Sequence, residues 1–166
     1  MCGLIGREYG TPQTSLPIAL SDIRKWAAAI YWPEVPPRLF WDEAYAATTP
    51  HRSVVAPEEF NPFAWFTAAG PNVPPSFEGV VKAGAVEESF GVEAPGTTRI
   101  MNGGNDVRYG VRMRPGDVIT WGPNTLIDYK EHQTRLGLML MTFCEYSWMN
   151  QNGEMVKTMR STLLRY

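Results

Sequence analysis

Histidine and cysteine are scarce in this chain. Its two histidines, His51 and His132, stand with no spacing relation that would bring both to one metal ion. Of its two cysteines, Cys2 lies near a terminus and Cys144 inside an apolar run. That usage excludes a disulfide-stapled secreted domain and suits a reducing compartment, so neither a disulfide nor a metal site is expected. A basic excess is also missing. Fifteen Lys and Arg against seventeen Asp and Glu give a net charge of −2, which leaves nothing to neutralise a phosphate backbone and excludes a nucleic-acid role. Long apolar runs are missing too. None approaches the ~20 residues that span a bilayer, and MCGLIGREYG meets Arg7 and Glu8 too early to hold a signal-peptide core. The expectation is a soluble, cytoplasmic protein with no membrane partner.

What is present is enough apolar material for one core: 44% hydrophobic residues in 166, read as a single domain over 1–166. Residues 1–15 have no period and read as an irregular arm. Ser21 or Asp22 is the expected cap of a helix carrying Ile23, Trp26, Ala27, Ile30 and Tyr31 on one face and ending before Pro33. A short helix is expected after Asp42 as its cap, with Glu43 in the first turn. SVVAP at 53–57 reads as a short strand or a lead-in to a strongly apolar helix, with Asn61 as N-cap, Pro62 at the first helical position and Gly70 at the end. The stretch 71–97 reads as a long loop, with a short strand possible over 89–92. Strands are expected over 98–102, along VRYGVRMR to 114, and from VITW after the turn Pro115-Gly116-Asp117.

The C-terminus gives the sharpest local expectation. LGLMLMTFCEYSW and EMVKTMRSTLLRY flank Asn152-Gly153, a pair suited to a two-residue type I′ hairpin turn. Opposite residues then sum to 305, as 152 and 153 do, so Glu145 faces Arg160, Phe143 faces Thr162, Met141 faces Leu164 and Met139 faces Tyr166. An opposite-charge pair at a register fixed by the turn supports that register.

Four stretches carry a family likeness. LFWDEAYA at 39–46, VVAPEEF at 54–60, IMNGGNDVRYGVRMRPGDVIT at 100–120 and YSWMNQNGEMVKTMRSTLLRY at 146–166, in this order, resemble the MaoC-like hydratases and dehydratases, in their N-terminal or FAS1-like dehydratase branch. The resemblance implies an α+β hot-dog fold, an antiparallel sheet wrapped around a central apolar helix. It further implies dimers of such units that bind acyl-CoA at the seam, with the coenzyme A thioester as substrate and no cofactor. The implied reaction is reversible hydration of a 2-enoyl thioester, which takes an Asp and a His five residues apart in a G-D-x-N-P-L-H turn, and backbone N–H groups near the start of the central helix to polarise the carbonyl.

Aligned on Leu39 and WDEAYA, that turn is rewritten here. The Asp position falls on Val35, the His on Phe40, the Asn on Pro37 and the first Gly on Glu34. Val and Phe carry no proton. Glu34 remains open as a repositioned base or a solvated turn acid, and His51 as a site residue or a surface one. Asn102, Gly103 and Gly104 match the family's glycine-bearing segment and read either as a thioester contact or as a β-bulge. Arg99 and Arg108 are candidates for coenzyme A phosphates, and Trp32, Phe40, Phe63 and Trp65 for the acyl pocket. Ala56 and Glu58 stand where the oxyanion donors belong, with Pro57 between them unable to donate. The reading is a non-catalytic, acyl-accommodating chain that needs a second hot-dog chain. The alternatives are a self-sufficient homodimeric hydratase and a non-enzymatic acyl-CoA-binding scaffold.

Overall fold

The computed structural model describes residues 2–64, 84–135 and 137–166. After a 3-10 turn at Cys2–Leu4 come two short strands, β1 (Glu8–Tyr9) and β2 (Gln13–Thr14). Helices α1 (Leu20–Tyr31) and α2 (Glu43–Thr48) follow, then α3 (Ala85–Ser89). Five strands complete the chain: β3 (Ile100–Tyr109), β4 (Ile119–Trp121), β5 (Asn124–Thr134), β6 (Gly137–Asn150) and β7 (Met155–Arg165). All pairings are antiparallel. β6 is the spine: it pairs with β7 along one side, and along the other with β5 over its first part and β4 over its last. β7 pairs in turn with β3, β1 adds to β5 and β2 to β4.

The 1–15 arm is therefore less irregular than its sequence suggests. Glu8–Tyr9 and Gln13–Thr14 have no apolar alternation, and open sheet edges supply the pairing that their own composition does not. Helix α1 begins earlier than expected, with Ala19 at the N-cap and no side-chain cap, while Asp22 sits inside the first turn, where a carboxylate meets the positive end of the helix. Ile23 and Ala27 are buried, and the helix stops at Tyr31, with Trp32 next and Pro33 beyond it. Asp42 caps α2 as expected: its Oδ1 accepts from Tyr45 N at 3.0 Å and its Oδ2 binds Arg38. The Tyr45 N–H first and the Arg38 guanidinium second hold its carboxyl below the usual range.

Residues 53–57 form no strand. Val54, Val55 and Ala56 are buried in a lead-in segment, with Ala56 N donating to Met113 O at 2.8 Å. Phe63 N donates to Asn61 Oδ1 at 2.9 Å, which suits Asn61 as a cap, whereas the expected helix beyond Ala64, Trp65 included, lies outside the described residues. In place of the strand expected over 89–92, α3 runs to Ser89 and turns at Phe90. The run 107–114 is a strand only to Tyr109. At Gly110 the chain presses on the Met155 carbonyl, leaving no room for a Cβ, and it then departs from the ladder.

The hairpin keeps the expected register with a different turn. Glu145 pairs with Arg160, Phe143 with Thr162 and Met141 with Leu164, while the ladder ends at Leu140↔Arg165, one step short of Met139 and Tyr166. Gly153 N donates to Asn150 O and Asn150 N to Glu154 O, so the loop is 151–153, and of Asn152 and Gly153 only the glycine takes a positive φ (+75°). This is a turn followed by a left-handed glycine. The one-residue offset it introduces is cancelled by a bulge between Trp148 and Met149, which restores the sum of 305 further along.

Even-numbered residues of β6 share the concave face with odd-numbered residues of β7 from Lys157 on, and with Val156 at the bulge. The main core lies there: Ile18, Ile23, Val54, Ala56, Phe60 and Phe63 pack onto Ile119, Trp148 and Val156. A second cluster, Leu4, Val86, Leu126 and Cys144, sits at the opposite end of the sheet under α3.

Candidate functional site

Two places on the chain bear on chemistry: the turn before α2 and the concave face of β6 and β7. In the turn, Pro33, Pro36 and Pro37 deny backbone donors, Glu34 N reaches back to Tyr31 O at 2.7 Å, and Glu34 is exposed. Val35 is 80% exposed and Trp32 82%. Phe40 is only 6% exposed, packed with Ala27 and Val55 in a small cluster of its own, with the Tyr31 ring 5.9 Å away. A side chain so enclosed serves packing.

His51 lies elsewhere, in a polar cleft of about 510 Å³ shared with Arg112, Arg114, Asp117 and the hairpin residues Asn150 and Glu154; Glu34 is not among the lining residues. The two acid/base candidates are thus not brought together. Among the described residues no group of three or more His, Cys, Asp or Glu is placed to hold a metal ion.

The concave face carries an aromatic cleft of about 510 Å³ at the hairpin end of the sheet. Register explains its assembly: Trp148 faces Lys157 and Tyr146 faces Met159 across β6 and β7, while Trp121 of β4 lies opposite Trp148. Trp26 of α1 and Phe63 close it from above. Phe63 stands edge-on to Trp148 with centroids 5.0 Å apart, and Trp121 is tilted on Tyr146 at 5.0 Å. Lys157, 6% exposed, holds its Nζ 3.6 Å from the centre of the Trp148 ring. Burial pushes its pKa below the ordinary lysine value, with Glu59 at the rim opposing the shift. The indole nitrogens of Trp26, Trp121 and Trp148 are buried with no hydrogen-bond partner among the described residues.

At the far end of the same face a buried cation is paired with a carboxylate of the same chain. Arg165 donates from Nη1 and Nη2 to the two carboxylate oxygens of Glu87, both at 2.7 Å, and from Nη2 to Thr142 Oγ1 at 2.8 Å. Both ionic side chains are 0% exposed. Burial alone raises the Glu87 carboxyl, but the Arg165 hydrogen bonds outweigh it and the net shift is downward. Beside this pair, Tyr129 donates to Glu87 at 3.3 Å, and burial first and the Glu87 charge second push its phenol up to about 12. Tyr9 donates to Cys144 Sγ at 2.9 Å, and burial raises the thiol.

The family model described as "FAS1-like, dehydratase domain region" matches residues 3–159. The chain belongs to that family. Among solved structures, it is similar to a chain of the ChsH1-ChsH2 complex from Mycobacterium tuberculosis, at 20% identity and TM-score 0.70, over 95% of this chain and 83% of that one. It is also similar to a chain of the C-terminally truncated HadBC (3R-hydroxyacyl-ACP dehydratase) complex from the same organism, at 16% and 0.62, over 97% and 96%. The unliganded R-hydratase PhaJ1 from Pseudomonas aeruginosa matches at 17% and 0.55, over 96% and 79%. No curated protein sequence matches. At these identities the likeness establishes the α+β hot-dog architecture, and the family match places the chain in the FAS1-like dehydratase region family. No helix among the described residues is long and apolar enough to cross a membrane.

The remaining family-matched positions fall as follows. Asn102, Gly103 and Gly104 form a bulge on exposed β3, where two glycines stand opposite Thr162 and Asn102 Oδ1 accepts from Gly104 N at 2.8 Å. Gly104 takes φ +113°, a conformation open to glycine, and a Cβ on Gly103 would meet Thr162 at 2.9 Å. Arg99 lines a cleft with Met101 and Tyr166, while Arg108 is exposed further along β3. Of the acyl-pocket candidates, Trp32 points to solvent, Phe40 is sealed in its own cluster and Phe63 lines the aromatic cleft, so these three do not converge. The Ala56 N–H is already committed to Met113 O. Sequence reasoning missed Lys157, Trp121, Tyr146 and Trp148. The signal was available, because 148 and 157 also sum to 305.

Proposed function

We propose that this chain is the non-catalytic, acyl-accommodating subunit of a heteromeric MaoC-like enoyl-CoA hydratase, in which a second hot-dog chain supplies the Asp and His for reversible hydration of a 2-enoyl-CoA. The observation that carries the reading is the fate of the catalytic turn. Val35 lies bare on the surface and Phe40 is built into the core, so neither position handles a proton, and Glu34 and His51 lie in different surroundings. Three further features support it. Trp32 and Val35 present large apolar side chains on one turn, as a surface awaiting cover does. β3 pairs only with β7 among the described strands and offers its other edge to a partner. Two of the similar structures are complexes of two named chains. In this reading coenzyme A binds at the seam as the substrate's carrier, within reach of the Asn102–Gly104 bulge and of Arg99 and Arg108, and no cofactor takes part. The aromatic cleft beside Phe63 supplies the apolar wall for the acyl group.

The test is reconstitution. The chain alone is expected to give no hydration of a medium-chain or bulky enoyl-CoA, and mixing with a MaoC-like chain that retains the Asp and His is expected to give turnover. That turnover should vanish when the partner's Asp or His is replaced and persist in Glu34→Gln and His51→Ala here. Turnover by the chain alone, lost in either of those two variants, would make it a self-sufficient homodimer instead. Acyl-CoA binding with no turnover in either format would make it a scaffold.

A further inference from the structure

We propose that Lys157, set among the rings of Trp26, Trp121 and Trp148, recognises an acyl group whose end remote from the thioester carries an acceptor oxygen, a carboxylate or a carbonyl. The proposal rests on the acyl-accommodating reading above and names the substrate class that reading leaves open.

The cleft holds a buried cation with no anion bonded to it among the described residues. Lys157 is 6% exposed and forms no hydrogen bond or ion pair among the described residues. Its one close partner is the Trp148 ring face at 3.6 Å, which attracts the charge but accepts none of the three N–H bonds in the ordinary sense. Trp26, Trp121 and Trp148 line the same cleft with their rings, and their indole N–H groups are sealed without acceptors among the described residues. None of the acceptors in the lining is bonded to Lys157: Glu59 is exposed and makes no ion pair with it, Asn61 Oδ1 accepts from Phe63 N, and no bond joins Lys157 to Gln13 or Tyr146. A largely buried ammonium without an anion is costly, and the complement for Lys157 is an acceptor atom brought in through the cleft. The walls are ring faces, and about 510 Å³ is the room of a small-molecule pocket, so that atom arrives on a broad apolar body. The same sheet shows that this chain can match a buried cation with a carboxylate of its own, as it does at Arg165. At Lys157 it leaves the place open.

The test uses the purified full chain with 15N-labelled indoles and three probes of one shape: cyclohexanecarboxylate, cyclohexanecarboxamide and methylcyclohexane. The carboxylate or the carboxamide is expected to shift the indole N–H resonances of Trp26, Trp121 and Trp148, and the tighter of the two identifies the oxygen. Its dissociation constant should weaken at least tenfold in Lys157→Met, with Lys157→Gln as a second variant should the first not fold. Methylcyclohexane should bind wild type and variants alike. Oxygen probes that bind the variants as tightly as wild type, or that leave those indole resonances unmoved, would overturn the proposal. The probes carry no thioester and need no partner chain, so this result is independent of the reconstitution assay. A chain that binds them but never supports hydration would refute the hydratase reading and not the site.

Discussion

Arg165 and Lys157 are both buried cations on the concave side of strand β7, and their surroundings are opposite. Arg165 meets Glu87 through a bidentate pair and Thr142 through a third bond, while α3, which carries Glu87, closes over that end of the sheet. Lys157 meets the Trp148 ring face and an aromatic cleft. The cation at one end has its carboxylate from the same chain, and the cation at the other has none bonded to it among the described residues. A buried charge thus has two meanings. Where its partner comes from the same chain it fastens an element; where no partner is provided it marks a place for a ligand.

The largest effect expected from this contrast is in Arg165→Met, which leaves Glu87 buried and unpaired and should cost about 3–5 kcal/mol in urea or thermal denaturation. A loss under about 1 kcal/mol would remove the distinction between the two ends. Next comes the acid limb of stability. The Glu87 carboxyl sits below its ordinary value in the folded chain, so its contribution is full above the unfolded glutamate value of about 4.3 and is lost as pH falls through the folded one. In Arg165→Met burial is opposed only by the Tyr129 and backbone hydrogen bonds, so the carboxyl moves up and acidification should narrow the gap between variant and wild type. Thr142→Val, which removes one bond to Arg165, should cost about 1 kcal/mol.

The smallest change in stability is expected at Lys157. Removing an ammonium that lacks an acceptor, at the loss of its contact with Trp148, should leave Lys157→Met within about 1 kcal/mol of wild type. Its alkaline limb should also differ. A lysine held below its ordinary value binds fewer protons folded than unfolded, so wild-type stability should rise with pH between the folded value and about 10.4, and this rise should be absent in the variant. A loss as large as that for Arg165→Met would mean that Lys157 is structural.

Much of this arrangement was legible in the sequence. The hairpin register and the Asp42 cap follow from local patterns, because turn residues, caps and alternation act over a few positions, while the rewritten turn at Val35 and Phe40 is what the family resemblance implies. The register survived even though the turn was misassigned, since the bulge at Trp148 absorbs the offset of the three-residue loop. What escaped was set by distant contacts. The strands β1 and β2 form only where β5 and β4 present edges, and α3 is held by an arginine at the other end of the sequence. Lys157 opposite Trp148 sits at a register that was in hand, but a lysine in a strand reads as solvated until the rings around it are in place.

The bulge in β3 bears on how such a sheet grows. Inserting one residue at Gly103-Gly104 shifts the alternation, so the outward-facing N–H and C=O groups of 100–102 and of 105–109 fall out of step. A regular strand laid along this border can match one half at a time, and only a neighbour with a compensating irregularity can match both. The border therefore works as a key cut in two phases. It resists open-ended stacking of identical chains and admits a neighbour shaped to it.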